Sequence, residues 1–143
     1  MNDYEDARIK NIIRPQVSRK PFPVWCDDKS PAWVRRPIVQ LRRYLAAECG
    51  YGFSWDTSDE GWKNTQIRTF SDNDQHHWLI GYAAFDTEDT PYLSSVWIHP
   101  FYRNRGILKG AWKELVARFG DFDVDLPNKA MLAFLESHHK EQR

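Results

Sequence analysis

The chain has 143 residues, 20 Lys+Arg against 20 Asp+Glu, and an apolar share of 41%. That length suits one domain with a proper core, and the charged share argues against disorder. A net charge of zero excludes a global field that would draw in nucleic acid.

The charge is nonetheless uneven: residues 1–43 hold ten Lys/Arg against five Asp/Glu, and the remainder holds ten against fifteen. A solvated basic face accounts for this. Seven tryptophans suit core packing first and an aromatic-walled cleft second. Cys26 and Cys49 stand apart with no CxxC spacing, so they read as buried structural thiols in a reducing, cytoplasmic compartment. The acidic start lacks an apolar signal core, and no run approaches the length of a membrane span.

In chain order, residues 1–33 carry Pro15, Pro21, Pro23 and Pro31, which predicts an irregular N-terminal arm draped over the domain. A helix follows over 37–48, with Pro37 in its first turn, Ile38, Leu41, Leu45 and Ala46 inward, and Gly50 to end it. Residues 51–75 read as irregular, with a weak strand at "NTQIRTF". A strand with little alternation at 77–86 implies that both its faces are covered. "TEDTP" turns the chain, and "YLSSVWI", 92–98, is the next strand and a hairpin partner.

From Ile107 the period changes. Apolar pairs recur at helical spacing to Phe119, and Gly120 stands where a left-handed cap belongs. "FDVDLP" alternates as a short strand, and Asn128 can cap a last helix. The order helix, strand, strand, helix, strand, helix makes one mixed α/β domain over 1–143.

Between the 92–98 strand and the following helix lies "HPFYRNRG". A helix start exposes N–H groups without internal partners, and the aligned peptide dipoles add partial positive charge. Gly106 would let the backbone approach an anion there, with Arg103, Arg105 and Lys109 adding charge. "RNRGILKG" can thus be a diphosphate cradle. On spacing alone, an ordinary strand-to-helix turn with solvated arginines is the plainer reading.

Context favours the cradle. "VWIHPFYRNRGILKGAWKEL" resembles the acetyl-coenzyme A signature of the GNAT superfamily of N-acetyltransferases, matching it at Arg103, Gly106 and Leu108. "WLIGYAAFD" is similar to the preceding family strand, and "VDLPNKAMLAFLES" to the following strand and helix. The resemblance covers residues 78–138. It implies a central, mostly antiparallel mixed sheet flanked by helices, and an acetyl-CoA cosubstrate whose pantetheine arm pairs with Val96, Trp97 and Ile98. It implies further that Arg103, Asn104, Arg105, Gly106, Ile107, Leu108 and Lys109 hold the diphosphate, with Asn128 near the pantetheine. The reaction would be direct attack of an amine on the thioester, with the N–H of Val96 or Trp97 facing the developing oxyanion.

Three departures accompany the resemblance. Leu108 stands where Gly or Ala is usual. Leu135 stands where the family often has an acid Tyr. The chain stops before the usual last two strands. A thiolate leaving group near pKa 8.5 needs little acid. Candidate bases are His99, Glu88, Asp89 and Asp125, with Tyr92 as an alternative acid. The departures keep a rival open: a non-catalytic member of the same fold that binds another protein, or a homodimer whose neighbour completes the cleft. The acceptor, small molecule or protein, is not legible. His76–His77 and His138–His139 lack further ligands at metal spacing, which argues against zinc. The early arginines beside Trp25 and Trp33 could stack on nucleic acid, but the neutral balance and the lack of an RNA-binding motif argue against it.

Overall fold

The computed structural model describes residues 15–49 and 59–124. Among these residues six strands form one sheet: β1 (Gln16–Val17), β2 (Trp25–Asp27), β3 (Thr65–Ser71), β4 (Trp78–Asp86), β5 (Tyr92–Ile98) and β6 (Asp123–Val124). Helix α1 (Ala32–Cys49) precedes β3, as does the single turn α2 (Asp59–Trp62), and α3 (Ile107–Phe119) joins β5 to β6. The sheet order is β2-β3-β4-β5-β6, with β1 paired to β4 off that path. Every pairing is antiparallel except β5–β6. This is the mixed, mostly antiparallel sheet flanked by helices that the resemblance implied.

The stretch expected to be an irregular arm therefore contributes two short strands, Gln16–Val17 against β4 and Trp25–Asp27 against β3. Helix α1 begins at Ala32 rather than at Pro37. The Pro31 carbonyl accepts from the N–H groups of Val34 and Arg35, so the helix nucleates on that proline and Pro37 lies inside it. Val34, Ile38, Leu41 and Leu45 recur every third or fourth residue and are buried against the sheet. Strand β3, offered by the sequence as weak, is central. Ile67 and Phe70 are buried on it, while Arg68 sends its guanidinium out to Glu114.

The sheet separates two cores. Under α1 lie Ile67, Tyr82 and Trp97, with Trp62 from α2. Under α3 lie Phe70, Ile80, Phe85 and Leu93, closed by Trp112 and Leu115. Residues 79–85 of β4 are buried throughout, as a strand covered on both faces requires. Phe85 stacks on Phe119 at 4.3 Å between ring centres and meets Phe122 edge-on at 5.0 Å, which pins the end of α3 to the sheet. Burying the Phe85 ring contributes on the order of 1.5–3 kcal/mol, and the half-buried Phe119 and Phe122 contribute less. No helix among the described residues is long and apolar enough to cross a membrane.

Cys26 is a free thiol in the α1-side core, and burial pushes its pKa up to about 12. In a Cys49→Ser background at pH 8, iodoacetamide should therefore label Cys26 far more slowly in the native protein than in urea, because the thiolate is the reactive species. Equal labelling rates would show that this core opens freely.

Candidate functional site

The site is assembled at the end of β5. His99 follows the strand and is almost wholly buried at 2% exposure. Its Nδ1 accepts from the Phe101 N–H at 3.1 Å and caps the 3-10 turn Pro100–Tyr102. Its ring packs on Trp97, Phe101 and Tyr102. The chain then turns through Asn104 at φ +61° and Gly106 at φ +77°. Left-handed backbone is cheap for glycine and tolerable for asparagine, which explains both residues. Gly106 is the N-cap residue of α3 and has no side chain of its own to cap the helix. The Gly106 carbonyl accepts from Gly110 N–H at 2.8 Å, so the ladder starts at once and the first-turn amides face outward.

The two arginines of the turn differ. Arg103 is committed to the protein: its Nε donates to the Ile98 carbonyl at 2.7 Å, its Nη2 pairs with Glu48 at 2.7 Å, and its guanidinium lies over the Trp97 ring. Arg105 is exposed, rests 5.9 Å from the Tyr102 ring centre, and forms no ion pair among the described residues. Arg105 is thus an exposed cation beside Gly106, and Arg103 ties the end of β5 to the end of α1. Leu108 does not overhang the turn; it packs against the α3-side core.

The register of β5 decides which backbone groups are available. His99 N–H donates to the Ile80 carbonyl at 2.7 Å, and Tyr82 lies opposite Trp97 two residues along. Hydrogen-bonded pairs alternate in an antiparallel ladder, so Trp97 N–H is directed to β4 while Val96 and Ile98 turn outward. Ile98 has its carbonyl taken by Arg103. Val96 therefore offers both N–H and C=O on the side away from β4. Among the described residues, β6 pairs with β5 only at Tyr92 and Leu93, leaving this outward edge unladdered. Ser94 is an extra residue in β5: Ala84 lies opposite Ser95 and Phe85 opposite Leu93. Such a bulge bends the strand and increases its twist.

Glu88 lies in the turn after β4 and is exposed, with its N–H donating to Asp86 Oδ1 at 3.0 Å. Tyr92 donates to Asp86 Oδ2 at 3.4 Å. Both sit at the start of β5, while the Gly106 turn follows its end, roughly 20 Å away at the usual strand rise. The structure thus brings Val96, Ile98, Arg105, Gly106 and Ile107 to one end and puts Glu88, Asp89 and Tyr92 at the other. Asp125 and Asn128 lie outside the described residues. Among the described residues, no three His, Cys, Asp or Glu side chains gather as a metal site.

Sequence reasoning missed the hydroxyls behind Val96. Tyr82 Oη lies 3.1 Å from Ser95 Oγ, and Ser94 Oγ donates to the Ala84 carbonyl at 3.1 Å. Trp97 Nε1 nearby is buried without a hydrogen-bond partner among the described residues. The signal was present: two consecutive serines inside an otherwise apolar strand mark a place where packing is not the purpose of the side chain.

Comparisons with known proteins agree with this arrangement. A model of the Acetyltransferase (GNAT) family matches residues 23–139. Among solved structures, the chain resembles an aminoglycoside acetyltransferase, meta-AAC0020, from an uncultured soil metagenomic sample. In complex with trehalose, that protein gives a TM-score of 0.52 at 14% identity, over 83% of this chain and 85% of that one. In complex with sisomicin it gives 0.50 at 12% identity, over the same shares. Comparison with the curated proteins returns no match. With a signature strand, a left-handed glycine turn and a following helix in the family's order, and a family match across most of its length, this chain belongs to the GNAT family of acetyltransferases.

Proposed function

We propose that the chain binds acetyl-CoA at the front of α3 and along the outer edge of β5, and transfers the acetyl group to an amine. The left-handed Gly106 turn carries this reading. It leaves first-turn amides and the helix dipole for a diphosphate, with Arg105 as the adjacent cation. Val96 would pair with an amide of the pantetheine arm, and its N–H is the β5 donor positioned to meet oxyanion charge on the thioester carbonyl.

In the reaction a C–N bond forms and the C–S bond breaks. The thiolate departs unassisted at neutral pH, and the incoming nitrogen loses a proton. His99, buried and engaged through Nδ1, fixes the turn rather than moving that proton. Tyr92 is committed to Asp86. Glu88 and Asp89 stand at the other end of β5, so proton removal falls to water. A free thiol at Cys26 suits the cytoplasm.

Calorimetric titration with acetyl-CoA, followed by thiol release against a panel of small amines, aminoglycosides and peptide amines, tests the reading. Saturable heat and amine-dependent thiol release are the expected results. Folded protein that gives no heat would remove the cosubstrate, and heat without thiol release would favour a binding-only member of the family.

A further inference from the structure

We propose that Ser95 receives the acceptor: its hydroxyl accepts a hydrogen bond from the incoming amine on the α1 face of β5, and Tyr82 holds it in place for that contact. This deepens the function proposed above and rests on it.

The first ground is direction. A thioester carbonyl bonded to the Val96 N–H would lie beside β5. Its hydrogen bond and the run of the arm along the strand both lie in the plane of the sheet, so the carbonyl plane does too. An amine attacks a carbonyl carbon from above or below that plane, and therefore arrives over one face of the sheet. The α3 face is filled here by the Val96 and Ile98 side chains, which pack against the α3-side core. Side chains alternate along a strand, so Ser95 and Trp97 stand on the α1 face. The partners across the ladder agree: Ala84 lies opposite Ser95 and Tyr82 opposite Trp97, and both belong to the α1-side core. Ser95 is the neighbour of Val96 on the face that remains for the amine.

The second ground is chemistry. Ser94, Ser95 and Val96 are half-buried in succession, between buried Leu93 and Trp97, so β5 is open where transfer would occur. The two serines differ. Ser94 Oγ is engaged with the Ala84 carbonyl at 3.1 Å, whereas Ser95 Oγ meets Tyr82 Oη at 3.1 Å. A serine hydroxyl has one proton to donate and two lone pairs to accept with. Donation to Tyr82 leaves those lone pairs for an N–H donor. Tyr82 is wholly buried, which fixes the position of its oxygen. With one N–H held by Ser95, the lone pair of the amine turns toward the thioester carbon, and orientation of this kind lowers the barrier. The proton lost on attack still passes to water.

The test takes the amine of the panel above that releases thiol fastest. Ser95→Ala should lower kcat/KM for that amine at least about tenfold, or about 1.4 kcal/mol, with calorimetric acetyl-CoA affinity unchanged. Ser95→Thr keeps the hydroxyl and suits a strand, so it should recover most of the loss. Tyr82→Phe should lose less than Ser95→Ala, and nothing further when combined with it, because the two hydroxyls act as one unit. The combined variant removes both partners of the bond together, so it should fold even where a single variant does not. Unchanged kcat/KM in Ser95→Ala, an equal loss in Ser95→Thr, or acetyl-CoA affinity falling in step, overturns the role of Ser95 alone. A wild type that binds acetyl-CoA but releases no thiol to any amine overturns the transfer reaction, and Ser95 with it.

Discussion

Gly106→Glu should abolish measurable acetyl-CoA binding while the protein remains folded. The fold should survive because a Cβ at this position meets no neighbour within 4 Å, and an acidic side chain at a helix N-terminus interacts favourably with the dipole. The cost is the left-handed backbone at φ +77°, on the order of 1–2 kcal/mol for a residue with a side chain. Binding should fail for a different reason. The new carboxylate would occupy the amides meant for the diphosphate and repel it at close range. A loss of at least about 100-fold, or about 2.7 kcal/mol, is expected by calorimetry. Gly106→Asn is the control, since asparagine tolerates this backbone and adds no charge; its affinity should stay within a few-fold of wild type. If Gly106→Glu bound acetyl-CoA as well as Gly106→Asn does, the diphosphate would have to be held elsewhere.

The second large effect is expected at Gly81→Ala, in the middle of β4. Here the glycine is required by close approach: a Cβ would lie 2.7 Å from the Trp97 carbonyl and 2.7 Å from Ile98 Cδ1. The isoleucine methyl can swing away, but the carbonyl belongs to the β5 backbone and cannot move without parting the strands. Overpacking of this kind costs typically about 1–3 kcal/mol, and the backbone contact puts this case at the upper end. In a chain of this size the melting temperature should fall by roughly 6–12 °C on circular dichroism. The displaced strand carries Val96 and Ile98, whose carbonyl anchors Arg103, so acetyl-CoA affinity should fall along with stability. An unchanged melting temperature would mean that β4 and β5 can separate at this point without cost.

The contrast between Gly81 and Gly106 measures how much of the site was legible beforehand. Both are the same letter in the sequence. Only Gly106 announced its role there, because a glycine between basic residues at a strand-to-helix junction has a local physical meaning. The need for Gly81 arises from β5, a strand that begins eleven residues later.

Local patterns by themselves determined β4, β5 and α3. Their apolar periodicity is strong and uninterrupted, so strand 92–98 and the helix from Ile107 to Phe119 match what the residues predict. The polar face of β3 weakened its signal and the proline inside α1 hid that helix's first turns, because burial and a carbonyl at Pro31 outweighed local preference. Tertiary structure alone decided that Arg103 is a tie while Arg105 forms no ion pair among the described residues, that Val96 rather than Trp97 presents its amide, and that His99 is buried. Each of those outcomes depends on which partner lies opposite, and a partner distant in the chain leaves no trace in the spacing of neighbouring residues.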